Sequence, residues 1–574
     1  MKRFLVGLLV GFLLAGFAAL IVVLSLVRLG QRKPSVADGS TLIMKLEGEI
    51  PERPGIELPF PLDDSPKPPT VAEIWSGLRR AAADPRIRAV VIEPRDLTIG
   101  WGILEELHSD LAEFRKSGKP LIAFLRGPGN KEYYLATAAD RIWVAQEDTV
   151  DIKGLSVGAM YFKNTLDKLG VHADVIHAGR YKDAGDMFTM TAMTPETREV
   201  LNDILNQYYG DLIATIAAGR RKSPDEIRKI IDQAPLAGKQ ALALGLVDGN
   251  GFEDSVTGEL EKRLHQDSLT RVDFKTYLRA APPDGFDSGR NRIAFIAGSG
   301  MILQGSGTNG LSQDNVITSG GFTQLLRDAA DDSSIRGAII RIDSPGGDGV
   351  ASDDILQAAK DLSRKKPVVI SMSDLAASGG YFMAMTGDPI VAYPNTLSGS
   401  IGVIFAKFNL HGLFDKLGIT EQVLTRGQYA NIFSDYVPLS DADRAKLTSQ
   451  IQDFYGTFIA RVAEGRRRPA AEIEPIAQGR VWLGTQAKQN GLVDRLGGLD
   501  EAVELIKERA HIARSERVTL VPYPPRRTLL EELFERQETP EVETRLRALT
   551  GGFPIEAWLH GGMMELMPYT ITVN

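Results

Sequence analysis

Short apolar runs rich in β-branched residues alternate along the chain with longer amphipathic stretches. RAVVIE (88–93) and RGAIIRI (336–342) are compact runs of the kind that form strands buried on both faces. A helical segment precedes each, and another follows: LEELHSDLAEFRKSGK (104–119) in one case, ILQAAKDLSRKK (355–366) in the other. PLIAFL (120–125) and PVVISM (367–372) then supply the next strands. This βαβ pattern predicts parallel strands with right-handed crossovers, so each half should form an α/β domain with helices packed on its sheet. The pattern breaks in three places. Residues 34–70, with eight prolines, read as extended; APPDGFDSGR (281–290) reads as a linker; and beyond about residue 526, LLEELFERQ and VETRLRAL read as amphipathic helices of no assigned role.

The two halves are copies of one another. Displaced by 248 residues, Tyr133 falls on Tyr381, Ala136 on Ala384, Asp140 on Asp388, and Ile142 on Ile390. The same register carries DKLG (167–170) onto DKLG (415–418) and Tyr181 onto Tyr429. After a two-residue deletion, Tyr209-Gly210 falls on Tyr455-Gly456, Gly219-Arg220-Arg221 on Gly465-Arg466-Arg467, and GLVD (245–248) on GLVD (491–494). Self-similarity over such a span marks a tandem duplication. The expected division is 1–39 as a stub and anchor, 40–290 as the first repeat, 291–525 as the second, and 526–574 as a tail.

Phe4 to Val27 is an almost unbroken apolar run of 24 residues between Lys2-Arg3 and Arg28, Arg32 and Lys33. It is long enough to span a bilayer, and its length and basic end fit an uncleaved anchor better than a cleaved signal peptide. The flanking charges balance, so they do not orient it.

The composition adds exclusions. At 574 residues, 43% hydrophobic and 24% charged, the chain can bury sizeable cores. A net charge of −8 gives no footprint for phosphate backbones, and nucleic acid is not an expected partner. The absence of cysteine removes disulfides, iron–sulfur clusters and thiol nucleophiles together. The seven histidines include no His-x-x-x-His or His-Glu-x-x-His pair, so neither a catalytic metal nor a cofactor is expected. Gly305 to Gly310 has dinucleotide-like glycine spacing, but LSQDNVIT after it is no apolar helix, and Ser363-x-x-Lys366 lies at a charged helix end without companion motifs.

Duplication supplies its own control, because a core residue should recur in kind while a specialised one stands in a single copy. After RGAIIRI the second copy reads DSPGGDG (343–349), where the first has RDLTIG (95–100). Ser378 and Gly379, in LAASGGYF (375–382), correspond to Asn130 and Lys131; conversely Lys182 corresponds to Ala430. One copy keeps a serine and the other a lysine. A serine hydroxyl needs a base, and a lysine whose pKa is lowered by burial can be that base without a histidine. Glycines at two neighbouring strand ends, Gly379 and Gly346-Gly347, can present backbone N–H donors to an oxyanion.

SPGG (344–347), LAASGGYF, TLSGSIGV (396–403) and RYKDAG (180–185), in this order and spacing, resemble the bacterial signal peptide peptidase family in its long, membrane-anchored tandem-repeat form. The resemblance covers roughly residues 1–520. It implies tandem Clp-protease/crotonase-like α/β domains and a serine peptidase acting on apolar signal-peptide remnants. It further implies an inner-membrane anchor, periplasmic catalytic domains and a homotetramer. Carried over by position, it makes Ser378 the nucleophile, Lys182 the general base, Ser400 the hydroxyl that orients the lysine, and Gly379 with Gly346 or Gly347 the oxyanion donors. Two rivals stay open: a crotonase-like acyl-thioester enzyme on the same fold, and an inactive oligomeric membrane scaffold.

Overall fold

A computed structural model describes residues 34–54, 68–283, 291–305, 316–523 and 562–567. The expected anchor, most of the linker, the loop at 306–310 and the tail helices lie outside the described residues. Among the described residues no helix is long and apolar enough to cross a membrane.

The first repeat contributes β1 (Ser40–Glu47), β2 (Ile87–Arg95), β3 (Leu121–Leu125), β4 (Arg141–Val144), β5 (Thr149–Val150), β6 (His172–Ala178), β7 (Leu236–Ala237), β8 (Gly249–Asn250) and β9 (Arg271–Asp273). The second contributes β10 (Arg292–Ser299), β11 (Met301–Leu303), β12 (Val316–Thr318), β13 (Ile335–Ser344), β14 (Gly346–Asp348), β15 (Val368–Ala377), β16 (Ile390–Ala392), β17 (Leu397–Gly399), β18 (Val403–Asn409), β19 (Val481–Leu483), β20 (Arg495–Leu496) and β21 (Thr519–Tyr523). A last strand, β22 (Gly562–Leu566), comes from the tail.

The duplication is visible in the strand order. The first sheet runs β8-β4-β3-β2-β1-β9 with every pair parallel. The second repeats it as β20-β16-β15-β13-β10-β21, again parallel throughout. The runs that predicted strands are the buried centres of these sheets: β2 and β13 are each buried along most of their length. Continuous burial follows from cover on both faces. On β13, Ile339 joins a core shared with the first repeat, whereas its neighbour Ile340 joins the second repeat's own core. Successive strand residues point to opposite faces, so the first repeat roofs one side of the second repeat's sheet.

A buried polar network crosses this junction. Arg341, on β13, donates to Glu52 Oε1 at 2.8 Å and to Glu106 Oε2 at 2.5 Å, and all three side chains are at most 1% exposed. Asp374, on β15, accepts from the N–H groups of Gly100 (2.8 Å) and Ile103 (2.6 Å), capping the first-repeat helix Trp101–Arg115.

A third sheet, β12-β11-β14-β22-β18-β6, is built from both repeats and the tail. In it β6 of the first repeat pairs antiparallel with β18 of the second over seven residue pairs. That pairing delivers the segment after β6 into the second repeat.

Candidate active site

Ser378 follows β15 and precedes the short helix Gly379–Phe382. Its φ of 54° and ψ of −119° are sparsely populated for a residue with a side chain. The turn is held by Ser378 N–H donating to Gly399 O at 2.8 Å. The two glycines after it are sterically required. A Cβ on Gly379 would lie 2.6 Å from Ser352 Oγ and 3.2 Å from Gly347 N, and one on Gly380 2.7 Å from Ser344 O. The first repeat has no such strain: Asn130 begins the ordinary helix Asn130–Ala136, and its side chain donates to Gly154 O at 2.8 Å.

Lys182 arrives from the other repeat in the turn that follows β6. Tyr181 N–H donates to Gln478 O at 2.7 Å, pinning that turn against the second repeat. Lys182 Nζ then stands 2.7 Å from Ser378 Oγ, 3.0 Å from Ser400 Oγ and 2.9 Å from Ser400 O. Lys182, Ser378 and Ser400 are fully buried. Ser400, like Ser378, has positive φ, 51°, and its N–H donates to Arg480 O at 2.7 Å. Three residues far apart in sequence thus converge through an inter-repeat strand pair. Lys131 and Ala430 take no part: Lys131 donates to Ile99 O at 2.7 Å, and Ala430 is exposed.

The glycine turns meet as well. Gly379 lies against Gly346 and Gly347, and Gly347 is irreplaceable, since its Cβ would sit 2.0 Å from Ile302 O. The N–H of Gly346 donates to Ser344 Oγ at 3.1 Å. Two further glycines, unassigned from sequence, shape the lysine channel. A Cβ on Gly479 (φ +74°) would come within 2.6 Å of Lys182 N, and one on Gly402 within 3.1 Å of Lys182 Cδ. Gly402 stands inside TLSGSIGV, so part of that signal was in view. Asp183, beside the lysine, accepts from Thr197 Oγ1, and burial pushes its carboxyl up to about 7.

β22 lies across this site. It pairs antiparallel with β14, Gly346 opposite Leu566 and Gly347 opposite Glu565, and antiparallel with β18 on its other edge. Beyond its end, Met567 N–H donates to Pro345 O at 2.8 Å. The tail therefore enters the groove between the two strands as an extended backbone, ladder-bonded on both sides.

The arrangement matches a known family. The model of peptidase family S49 matches twice, over residues 113–267 and 360–513. The serine protease SPPA of the Arabidopsis thaliana chloroplast is 33% identical over 497 residues, covering 85% of this chain and 71% of that protein. Protease 4 of Salmonella typhi is 31% identical, covering 84% and 80%, and Protease 4 of Haemophilus influenzae 28% identical, covering 89% and 86%. Two matched domains on two copies of one parallel sheet, with relatives aligned along most of their length, place the chain in peptidase family S49, among the serine peptidases of tandem-repeat SppA form.

Proposed function

We propose that this serine peptidase hydrolyses extended apolar peptides, the remnants of cleaved signal peptides, through a Ser–Lys dyad. The observation that carries this reading is the 2.7 Å contact between Lys182 Nζ and Ser378 Oγ in a fully buried setting. Lys182 in its neutral form takes the proton of the Ser378 hydroxyl as Oγ attacks the peptide carbonyl carbon. The tetrahedral oxyanion is met by the N–H groups of Gly379 and Gly347; Gly346 is the weaker choice, its N–H already donating to Ser344. The ammonium of Lys182 returns the proton to the leaving amine as the C–N bond breaks. Water, deprotonated by the same amine, then hydrolyses the acyl ester and frees Ser378. Ser400 holds the amine through its hydroxyl and carbonyl.

The backbone pairing of β22 supports the substrate class. A groove that takes a strand of this chain between β14 and β18 has the geometry for adding a substrate strand, with affinity from main-chain hydrogen bonds. Phe4 to Val27 is proposed as the anchor that sets both Clp-protease/crotonase-like repeats on the periplasmic face of the inner membrane, near such peptides.

The test uses full-length protein in detergent with synthetic apolar signal peptides, cleavage being read by mass spectrometry. Ser378→Ala and Lys182→Met should each abolish cleavage, and a serine-directed phosphonate should label Ser378 in the parent only. Undiminished hydrolysis by Ser378→Ala would overturn the dyad. Turnover of acyl thioesters without peptide cleavage would favour the crotonase-like alternative, and folded protein inert toward both would favour the scaffold.

A further inference from the structure

Arg480 touches both halves of the dyad's surroundings. It precedes β19, which pairs antiparallel with β17, Val481 opposite Gly399 and Trp482 opposite Ser398. Its backbone holds the serine side: Arg480 O accepts from Ser400 N–H at 2.7 Å, and the neighbouring Gly399 O accepts from Ser378 N–H at 2.8 Å. Two residues before it, Gln478 O accepts from Tyr181 N–H at 2.7 Å. One three-residue stretch thus meets the turn that carries the lysine and the turn that carries Ser400.

The side chain closes the arrangement. Its guanidinium lies 4.9 Å from the centre of the Tyr181 ring and 4.5 Å from that of Trp482, a stacking that suits a planar cation. It also donates to Glu199 Oε1 at 2.5 Å and to Asp203 Oδ2 at 2.8 Å, both on the first-repeat helix Pro195–Arg220. Tyr181 Oη donates to Glu199 Oε2 at 3.2 Å, so ring, carboxylate and guanidinium hold one another. The arginine side chain is only 11% exposed, whereas Glu199 and Asp203 are 49% and 38% exposed. Ion pairs this wet add little to stability, and their main consequence is geometric. The duplication points the same way. In the register that carries Tyr209 onto Tyr455, Arg480 falls on Ala234, Trp482 on Leu236, Glu199 on Ala445 and Asp203 on Ser449. The arginine belongs to the copy with the serine and its carboxylates to the copy with the lysine.

We propose that Arg480 is a positioning residue of the peptidase reaction, a role that rests on the Ser–Lys reading of the site. By clasping Tyr181, the residue before the base, from the strand that also anchors Ser400, it holds Lys182 Nζ at proton-transfer distance from Ser378 Oγ. It touches neither substrate nor the reacting atoms. Its loss frees the Tyr181 turn to shift relative to the Ser400 turn, and a displacement of about 1 Å at a reacting pair can cost about 10²-fold in rate. Substrate strands added between β14 and β18 meet their backbone partners elsewhere, so binding is untouched.

The test measures kcat and KM on apolar signal peptides with full-length protein in detergent, each rate divided by the sites that a serine-directed phosphonate can label. Arg480→Met should lower kcat by about 10–10²-fold with KM little changed. Arg480→Lys should recover little of it, because an ammonium has neither the planar fork nor the stacking face. The pair Glu199→Gln with Asp203→Asn, both half-exposed and so harmless to folding, should reproduce most of the loss, and adding Arg480→Met to it should cost little more, since the three act as one unit. Asp500→Asn weakens another ion pair between the repeats, to Arg79, and should leave kcat at the parental value. A parental kcat in Arg480→Met or in the carboxylate pair would overturn the proposal, as would a raised KM with kcat held, full multiplication of the two losses, or an equal loss in Asp500→Asn. Cleavage that survives in Lys182→Met would overturn the dyad reading and this role with it; a parental Arg480→Met beside an inert Lys182→Met would overturn this role alone.

Discussion

Ser378 holds a backbone conformation that costs an ordinary residue about 1–3 kcal/mol, while its counterpart Asn130 does not. Strain confined to the copy with the hydroxyl is what a nucleophile held out of a tight turn would show. Lysine 182 is its partner by distance, and the dyad reading has a sharp test. Lys182→Arg keeps the charge but cannot accept a proton, so kcat should fall by about 10²–10⁴-fold, the usual contribution of a general base. Lys131→Ala, in the first-repeat position matching Gly379, should leave peptide cleavage near the parent rate. Around the lysine, Gly479→Ala should act almost as severely: a Cβ 2.6 Å from Lys182 N at φ +74° must move either the turn or the lysine. Its kcat should drop with KM little changed; a parental kcat would mean that the channel tolerates displacement. Ser378 and Lys182 were legible in the sequence because duplication set each against a counterpart that lacked it. The packing roles of Gly402 and Gly479 were not, since they lie in how closely a turn more than two hundred residues earlier approaches them, and no local pattern encodes that distance.

Among the elements, the parallel strands were readable and the third sheet was not. β2, β3, β13 and β15 announce themselves as continuous apolar runs because helices and the other repeat cover both their faces. The third sheet draws short strands from both repeats and the tail, and five residues carry too little periodicity to reveal partners some two hundred positions away. β22 has a kinetic consequence. If substrates add as a strand between β14 and β18, they must displace this one, which is tethered and so present at high effective concentration. Deleting residues 562–574 should therefore lower KM for extended apolar peptides, with kcat held. Unchanged KM would mean that substrate approaches by another edge.

The junction between the repeats governs the whole molecule, because it is what brings Lys182 to Ser378. It is polar as well as apolar. Arg341, Glu52 and Glu106 form a closed ionic cluster, and a lone Arg341→Met would leave two buried carboxylates uncompensated, a defect of about 3–5 kcal/mol in comparable pairs. Glu105, on the same helix as Glu106, meets Asn395 N–H of the second repeat at 3.3 Å, and burial, with Asp211 close by, pushes its carboxyl from 4.5 up to about 8. The sign of its effect on stability follows from proton binding. Between pH of about 4.5 and 8 the folded chain holds a proton on Glu105 that the unfolded chain has released, so this group makes folding progressively less favourable as pH rises through that window, and adds no further slope above it. Glu105→Gln keeps the shape and an acceptor for Asn395 while removing the ionisation. The variant and parent should therefore melt at nearly the same temperature at pH 4.5. The variant should gain steadily towards pH 8 and hold that gain at pH 9, with Asp183 and Asp374 cancelling because both proteins contain them. A difference in melting temperature that is constant from pH 4.5 to 9, or one that favours the parent at high pH, would show that Glu105 is ionised in the folded junction.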